Sequence, residues 1–399
     1  MSPGRTPGLG PVLLAVLVDL LGFGLVIPLL TFYAESFHAS AIQVTLLAAV
    51  YSLAQFAFAP VWGRLSDQVG RRPVMLVSIA GTAVFLAAFA LAPSLPWLFV
   101  CRALHGAFAA NISTAQAYVA DVTTPENRAR GMGLIGASFG IGFSLGPWVG
   151  GELSPYGLAV PIWAAAALSA LNFAWAVVAL PESRPAGQRQ ATHRSLDPRH
   201  LGRALRHPAV GPAIGLAFTA TAAFAMMEAT FSLVAEHSWR MDAQGVGRVF
   251  ALIGGIGILV QGGLLHRLVR RYGEPSLVVV GYAANAAGLA TLAFAGPGAA
   301  LWVGCAAIAV GSSLANPSLT SLISRGAGSD QQGAVLGVNQ SLGALARAAG
   351  PAAGGFLYAH WFRGGAFLVG AILMATSMAA AWPIARRAVT PIPRPAPNP

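Results

Sequence analysis

The stretch that decides the fold is GRLSDQVGRRP, residues Gly63–Pro73. It lies between two apolar runs, Ile42–Trp62 and Val74–Ala92, that contain no Asp, Glu, Lys or Arg. Each run is long enough to cross a hydrocarbon core of about 30 Å as a helix. Because the link between the runs is short and polar, the sequence predicts two antiparallel membrane-spanning helices that contact each other.

The composition supports a membrane protein. Hydrophobic residues make up 56% of the chain and charged residues only 9%, whereas charged residues are about a quarter of a typical soluble domain. The net charge of +11 does not indicate a nucleic-acid partner, because the arginines lie in links between apolar runs, where topology explains them. Cys101 and Cys305 lie inside apolar runs, so neither a disulfide nor a metal site is predicted. No cleavage site precedes the first run, so we predict no removed signal peptide.

Apolar runs of spanning length occur twelve times, six before and six after a polar, basic, proline-containing segment. They are Pro11–Phe32, Ile42–Trp62, Val74–Ala92, Trp97–Ala120, Gly131–Gly151, Leu158–Leu180, Ala209–Ala235, Gly245–Leu265, Ser276–Ala295, Gly298–Ile323, Gly333–Tyr358 and Gly365–Ala385. The sequence therefore predicts an all-α integral membrane protein with twelve transmembrane helices in two six-helix bundles.

The predicted domain boundaries follow from these runs. Residues 1–180 form the N-terminal bundle, 181–208 a cytoplasmic linker, 209–386 the C-terminal bundle and 387–399 a disordered, proline-rich cytoplasmic tail. Residues 195–206 fit either a short amphipathic helix on the membrane surface or a disordered tether.

The arginines predict the orientation in the membrane. Nineteen of the 24 basic residues, all of them arginine, fall in segments on the side that holds both termini. Cytoplasmic loops carry the Lys/Arg excess, so we predict that both termini are cytoplasmic.

The two halves of the chain repeat one another at an offset of about 200 residues. Gly63 in the first half has Gly263 in the second, and Gly146-Pro147 has Gly350-Pro351. This pattern is typical of a transporter built from two parallel repeats, with its substrate site between them near the middle of the membrane.

The charged link Gly63–Pro73 resembles the loop between helices 2 and 3 of the major facilitator superfamily, which has the pattern G-x-L-(S/A)-D-x-x-G-R-R-(P/K). In this link Gly63 permits close helix approach, Gly70 permits a left-handed turn and Pro73 fits the first turn of the next helix. The resemblance implies a gating role for Gly63, Asp67, Gly70, Arg71 and Arg72.

Two further stretches resemble the drug:proton antiporter branch of that superfamily, and the whole chain is most similar to its tetracycline-exporter-like members. RALHGAFAANISTAQAYVAD, starting at Arg102 and ending at Asp121, resembles the helix 4 signature, and GLIGASFGIGFSLGPWVGG, residues 133–151, resembles the helix 5 signature of exporters. The resemblance implies that Arg102 takes part in proton transfer and that Asp121 pairs with Arg71 or Arg72 when the inner gate is shut.

The helix 5 signature rests on Gly136, Gly140, Gly146, Pro147 and Gly150. Small residues let helix backbones come into contact in a membrane, where the hydrophobic effect does not drive helices together. Proline bends the helix. Simple tight packing is the alternative interpretation of the glycines.

Charges inside predicted spans are costly, about 3 kcal/mol at a helix centre on insertion scales, so each is a functional candidate. Asp19, Arg102 and Glu228 lie on helices 1, 4 and 7, which line the cavity in the superfamily. A carboxyl group in a low-dielectric cavity takes up a proton more readily than in water, and a nearby arginine opposes this. We predict that these three residues couple transport to protons, the alternative being fixed structural ion pairs. Arg347 and His105 are predicted to be structural.

Uncharged residues on the cavity helices suggest what the cavity binds. Phe23, Asn111, Gln116, Met227 and Asn316 are predicted substrate contacts, because aromatic faces and flexible methionines suit varied amphiphilic ligands. Lipid-facing packing is the alternative for the aromatic residues.

The predicted function is proton-coupled efflux of small amphiphilic drugs or metabolites by alternating access, in a bacterial cytoplasmic membrane, by a monomer. No phosphate-binding loop is present, so no nucleotide or other cofactor is predicted. Three alternatives remain: a same-fold importer or symporter of sugars or organic acids, a membrane enzyme or sensor, and a lipid scramblase. Classical tetracycline exporters also have carboxylates within helices 3 and 9, which this chain lacks, so a tetracycline–metal chelate is left open as a substrate.

Overall fold

The structure is a computed structural model that describes residues 9–123, 125–183, 202, 205–208 and 210–389. Within these ranges the chain is helical and contains no β-strand. The N-terminal half, residues 9–183, contains α1 (Leu9–Val26), α2 (Leu29–Glu35), α3 (Ala41–Val69), α4 (Arg71–Ala90), α5 (Leu95–Phe108), α6 (Asn111–Val122), α7 (Pro125–Leu153) and α8 (Val160–Ala179). The C-terminal half, residues 210–389, contains α9 (Val210–Trp239), α10 (Ala243–Leu259), α11 (Leu265–Tyr272), α12 (Glu274–Phe294), α13 (Ala299–Gly326), α14 (Gly328–His360) and α15 (Gly365–Val389).

Ten helical segments of the described chain are long and apolar enough to cross a membrane. The predicted all-α membrane protein is therefore confirmed, whereas the count of twelve spans is not. The predicted span Trp97–Ala120 is divided between α5 and α6, which have 14 and 12 residues. The predicted span Gly333–Tyr358 lies in α14, which is long enough at 33 residues but is not one of the ten, and its polar residues lower its hydropathy.

The break between α5 and α6 is closed by a side chain from α4. Ser78 Oγ donates to the carbonyl of Phe108 at 2.6 Å, and the N–H of Ala110 donates back to Ser78 Oγ at 3.0 Å. Backbone polar groups freed at a helix break in a membrane need such partners. The predicted fourth span can therefore change direction at Ala109–Ala110 without leaving these groups unpaired.

The two ends of the bundle are named here by the chain termini. The proximal end is where α1 begins and α15 ends, and the distal end is the opposite one. The link between α3 and α4 lies at the proximal end, and its Gly70 has φ of +106°, which confirms the predicted left-handed turn. Gly273 before α12 has φ of +75° and is its counterpart in the C-terminal half.

Each half has its own core. One cluster of buried apolar side chains lies entirely between Val210 and Ala381, and two others lie in the N-terminal half, the distal one also taking in Leu233 of α9. The predicted boundaries at 180 and 209 agree with these clusters but stay predictions. Most of the predicted linker, 181–208, and the tail from residue 390 lie outside the described residues, and α15 continues to Val389.

The halves pack against each other from the middle of the bundle to its distal end. α3 packs against α14 and α7 against α10. A Cβ added at Gly151 of α7 would lie 2.9 Å from Cα of Gly247 in α10, so the two backbones are in direct contact. Glu152 of α7 pairs with Arg248 of α10 at 2.8 Å, close to the same place. In this conformation the two halves are therefore in contact at their distal ends.

Candidate functional site

A cavity of about 90 Å³ lies between the two halves. α1, α2, α3, α5 and α7 of the N-terminal half line it on one side, and α9 and α14 of the C-terminal half line it on the other. The cavity is in the position expected for a site that both halves share.

Three charged side chains line the cavity: Arg102, Glu228 and Arg347. Neither guanidinium group forms an ion pair with a carboxylate of the described residues, and Glu228 Oε1 is fully buried without a hydrogen-bond partner there. Glu228 is still close enough to Arg347 to interact with it electrostatically. Buried charges in proteins are normally paired, so this cavity contains ionic groups whose partners must be a proton, water or a bound molecule.

Asp19 lies just behind the cavity wall, next to Asn111 at the start of α6. Asp19 Oδ1 and both polar amide atoms of Asn111 are fully buried, and the two side chains interact with each other. Asp19 also interacts electrostatically with Tyr51, as do Arg102 and Arg347. The structure thus brings the predicted coupling residues Asp19, Arg102 and Glu228 into one region.

Tyr51 is a central side chain of the site, and the sequence analysis did not identify it. The guanidinium carbon of Arg102 lies 4.6 Å from the centre of the Tyr51 ring, in a cation–π contact. Arg102 Nε also donates to the carbonyl of Leu47 at 3.4 Å. Tyr51 packs against Phe23 at 5.2 Å and against His105 at 5.0 Å between ring centres. These contacts hold Arg102 at the cavity wall without a carboxylate.

The predicted substrate contacts have different positions. Phe23 lines the cavity, and Asn111 lies one layer behind it, beside Asp19. Met227 is 1% exposed and lies in the core of the C-terminal half. The neighbouring Glu228 lines the cavity instead, because adjacent residues of a helix point in different directions. Gln116 and Asn316 are also outside the cavity lining, and Asn316 is on an exposed face of α13.

The glycines of α7 divide into two groups. A Cβ added at Gly146 would lie 2.7 Å from Cα of Gly24 in α1, and a Cβ at Gly150 would meet the carbonyl oxygen of Leu25. A Cβ added at Gly136 or Gly140 would meet nothing within 4 Å. Close packing therefore requires glycine only in the distal part of the predicted signature, which also contains Pro147 inside the helix.

Gly142 of the same stretch also belongs to the close-packed group: its added Cβ would lie 2.6 Å from Leu20 Cβ. The adjacent Gly150 and Gly151 face different partners, α1 for the first and Gly247 of α10 for the second. A glycine pair at this point lets one helix touch both halves.

The predicted charge network at the proximal end is present around Arg71, whose side chain is 2% exposed. Arg71 pairs with Asp67 at 2.7 Å and, through Nε, with Asp121 at 3.0 Å. Arg71 Nη1 also donates to Ser66 Oγ at 2.6 Å. All of these groups belong to the N-terminal half.

Glu182 completes this network, and the sequence analysis missed it. Its carboxylate accepts from the backbone N–H groups of Arg71 at 2.9 Å and Arg72 at 3.3 Å, at the start of α4. A carboxylate at a helix N-terminus satisfies unpaired N–H groups and the helix dipole. Gly63, by contrast, approaches no neighbour: a Cβ there would meet nothing within 4 Å. Among the described residues, the predicted close contact of Gly63 is therefore not made.

The C-terminal half contains the same pair with its charges exchanged. Arg71 at the start of α4 pairs with Asp121 near the end of α6, whereas Glu274 at the start of α12 pairs with Arg325 near the end of α13. Glu274 also accepts from Ser321 at 2.8 Å. The repeat therefore keeps an ion pair at this position in each half, although the sequence pattern of the second link has changed.

Replacing Asp67 with Asn is expected to lower the transport rate about tenfold or more, because a hydrogen bond to a charged group contributes about 1.5–3 kcal/mol. Arg71 keeps Asp121, so the protein should still fold. Initial rates and equilibrium binding of the same compound in liposomes measure the effect, and binding should change less than rate. Arg64→Gln removes an exposed charge from the same link and serves as the control. An unchanged rate in Asp67→Asn would remove Asp67 from the gate.

Comparisons with known proteins give one consistent family. Residues 12–351 match the family model described as Major Facilitator Superfamily. Tetracycline resistance protein, class C, of Escherichia coli is 33% identical over 365 residues, which cover 90% of this chain and 92% of that protein. Multidrug resistance protein 2 of Bacillus subtilis (strain 168) is 28% identical over 349 residues, with 86% of each chain covered.

Solved structures extend the comparison. The human organic anion transporter MFSD10 (TETRAN) superposes with a TM-score of 0.75 at 27% identity, over 96% of this chain and 100% of that one. The nucleoside transporter NupG superposes with a TM-score of 0.70 at 14% identity, over 94% and 99% of the two chains, which is a likeness of fold alone.

Proposed function

Because the chain belongs to the major facilitator superfamily and is a membrane transporter rather than an enzyme, we propose that it exports small amphiphilic compounds in exchange for protons. The observation that carries this proposal is the cavity between the halves, with Glu228 at its wall and Asp19 just behind it beside Asn111. Glu228 Oε1 is buried and has no hydrogen-bond partner among the described residues. The similarity to drug-resistance transporters supports the direction of transport.

The proposed coupling is competition between a proton and the transported compound. A cationic or polar amphiphilic compound bound from the cytoplasm interacts best with ionised carboxylates, and protons taken up from outside neutralise these groups and release the compound. Intramembrane carboxylates commonly serve as such proton carriers. An apolar wall for the rest of the ligand is formed by the aromatic rings of Phe23, Tyr51 and Phe143. The ring centres of Phe23 and Phe143 lie 5.8 Å apart.

The proposed arrangement is twelve transmembrane helices in two bundles, with both termini in the cytoplasm of a bacterial cell. The ten spans, the broken α5–α6 segment and α14 together supply twelve crossings. With this orientation the distal end faces outward, and the conformation described here is closed to the outside. We propose that a monomer is sufficient, because the cavity is lined by one chain.

A flux assay with purified protein in liposomes tests the proposal. The aromatic cation ethidium should accumulate in these liposomes when their lumen is acidic, and the accumulation should vanish when an uncoupler collapses the pH gradient. Accumulation that is insensitive to the uncoupler would contradict proton coupling. Accumulation that needs an acidic exterior, with compound and proton moving together, would contradict antiport.

A second candidate, symport of an organic anion with a proton, is favoured by one observation: two guanidinium groups line the cavity, Arg102 and Arg347, and neither has a carboxylate partner within the described chain. An anion would bind best when Glu228 is protonated, since the positive charge is then not offset. Proton and anion would therefore bind together and move in the same direction. The similarity to a human organic anion transporter supports this alternative.

Replacing Arg347 with Gln separates the two candidates. If the transported compound is cationic, as proposed, removing a positive charge from the cavity wall should raise the affinity for ethidium several-fold, because the charge acts through a low dielectric. Fluorescence titration measures this affinity, and Arg64→Gln, distant from the cavity, should leave it unchanged. Binding of the aromatic anion p-aminohippurate to the unmodified protein, lost in Arg347→Gln, would instead establish the second candidate.

A further inference from the structure

Two carboxyl groups from opposite halves meet at the distal end of the bundle. Glu35 is the last residue of α2, and Glu236 lies near the end of α9, followed by His237. Glu35, Glu236 and His237 each place a ligand atom within 4.8 Å of the other two. His237 Nε2 lies 3.8 Å from Glu35 Oε1. This is a contact between like charges, at an interface that must open and close for transport.

The surroundings of the pair do not neutralise it. Glu236 Oε2 is fully buried and accepts no hydrogen bond from the described residues. Arg363 donates to the carbonyl of His237 at 2.5 Å and to Ser238 Oγ at 3.4 Å. From α14, Tyr358 faces the pair and donates to the carbonyl of Leu233 at 3.4 Å.

A second contact between the halves at this end joins groups of opposite charge. Glu152 of α7 binds Arg248 Nε at 2.8 Å and Gln244 Nε2 at 2.8 Å, both on α10. These are complementary partners, so the contact needs no proton. The pair Glu35 and Glu236 can be stable at the same interface only if a proton, or His237 in its charged form, offsets one negative charge.

We propose that Glu35 and Glu236 form a proton-binding site shared by the two halves, which keeps the distal end closed while the proton is held. A protonated carboxyl can donate a hydrogen bond to the other carboxylate, whereas two ionised carboxylates at this distance repel each other. Loss of the proton therefore favours separation of α2 from α9, which opens the distal end.

The pKa of Glu35 agrees with this assignment. Burial, then hydrogen bonding to Glu236 and the negative charge of Glu236, raise it from the usual 4.5 to about 8. In the open form Glu35 is in water and its pKa is ordinary. Between these two values the closed form keeps a proton that the open form has released, so closure is favoured at low pH and lost as the pH rises through the window. The ratio of closed to open molecules should fall by up to about tenfold per pH unit there.

The place of this site in the cycle rests on the proposed antiport. A proton that arrives from outside, after the compound has left, would allow the distal end to shut and would return the carrier to the inside. The return step would then depend on protons at two places, the cavity carboxylates and the pair Glu35 and Glu236.

Pulsed electron paramagnetic resonance on the full chain in liposomes tests the site without requiring transport. Spin labels at Ser94→Cys and Gly296→Cys, both exposed at the distal end and on opposite halves, report its opening, after the buried Cys101 and Cys305 are replaced by Ala. A Cβ at Gly296 meets nothing within 4 Å, so that label should be tolerated. The short-distance population should predominate at pH 5 and decline toward pH 9.

Three variants identify the group responsible. Glu236→Gln, which can donate to Glu35 without a proton, should remain closed across the whole pH range. Glu152→Gln removes the complementary contact, so it should lower the ratio of closed to open molecules by the same factor at every pH and leave the pH window in which that ratio changes where it was. His237→Gln should retain the pH dependence.

Other outcomes would overturn the site. A distance distribution in the unmodified protein that does not change with pH would do so, as would an unchanged pH dependence in Glu236→Gln. Loss of the pH dependence in His237→Gln alone would assign the switch to the histidine, and closure that requires added Mn²⁺ or Zn²⁺ would assign it to a metal. Failure of the ethidium flux assay would leave these distances unaffected, so the two proposals can fail separately.

Discussion

Glu228→Gln is expected to reduce proton-driven efflux to the level of protein-free liposomes, while the protein still folds and inserts. Gln has nearly the shape of Glu, but its side chain does not bind and release a proton. The variant therefore lacks the proton-binding group at the cavity wall. The buried Glu228 Oε1 has no hydrogen-bond partner in the described chain, so the substitution breaks no structural hydrogen bond of that atom. Exchange of labelled for unlabelled ethidium, which needs no net proton movement, should continue in this variant.

Asp19→Asn tests the other carboxylate, which lies beside Asn111 rather than on the cavity lining. We expect it to impair proton-driven efflux as well. Glu152→Gln is the matched control, because Glu152 is a distal carboxylate already paired with Arg248, and it should retain a pH-dependent flux. Full proton-driven activity in both Asp19→Asn and Glu228→Gln would refute the coupling role assigned to them.

Gly146→Ala is expected to cause the second large effect, a loss of stability and of transport together. The added Cβ would lie 2.7 Å from Cα of Gly24 and 2.9 Å from the carbonyl oxygen of Leu21. Backbone atoms cannot turn away as side chains can, so α1 and α7 must separate. Overpacking of this kind typically costs about 1–3 kcal/mol, and α1 carries both Asp19 and Phe23.

Gly136→Ala on the same helix is the control, because a Cβ there meets nothing within 4 Å. Thermal unfolding in detergent and ethidium efflux measure the two variants side by side. A lower unfolding temperature is expected for Gly146→Ala and no change for Gly136→Ala. Equal behaviour of the two would mean that the contact between α1 and α7 does not require glycine.

Local patterns in the sequence predicted the features that depend on neighbouring residues. The resemblance of the helix 4 stretch to the antiporter signature implied that Asp121 pairs with Arg71 or Arg72. The charged link itself predicted the turn at Gly70, because a turn depends on residues that are neighbours in the chain. The apolar runs predicted the membrane-spanning helices for the same reason.

Features that depend on how helices face one another were not predictable. Tyr51 and Arg347 lie on helices far apart in sequence, and only packing shows that both reach the cavity. Met227 and Glu228 are adjacent in sequence, but α9 turns one to the core and the other to the cavity. The glycines of α7 look alike in sequence, and only the position of α1 separates Gly146 from Gly136.

The contact between Gly24 and Gly146 has a consequence for how this sequence can drift. When two side chains crowd each other, a larger residue on one helix can be accommodated by a smaller one on the other. Here both partners are already the smallest residue, and a Cβ at either would strike the opposite backbone. No second substitution at the partner position can compensate, because no residue is smaller than glycine. We therefore expect that neither Gly24 nor Gly146 can be replaced stepwise during evolution while α1 and α7 keep this contact.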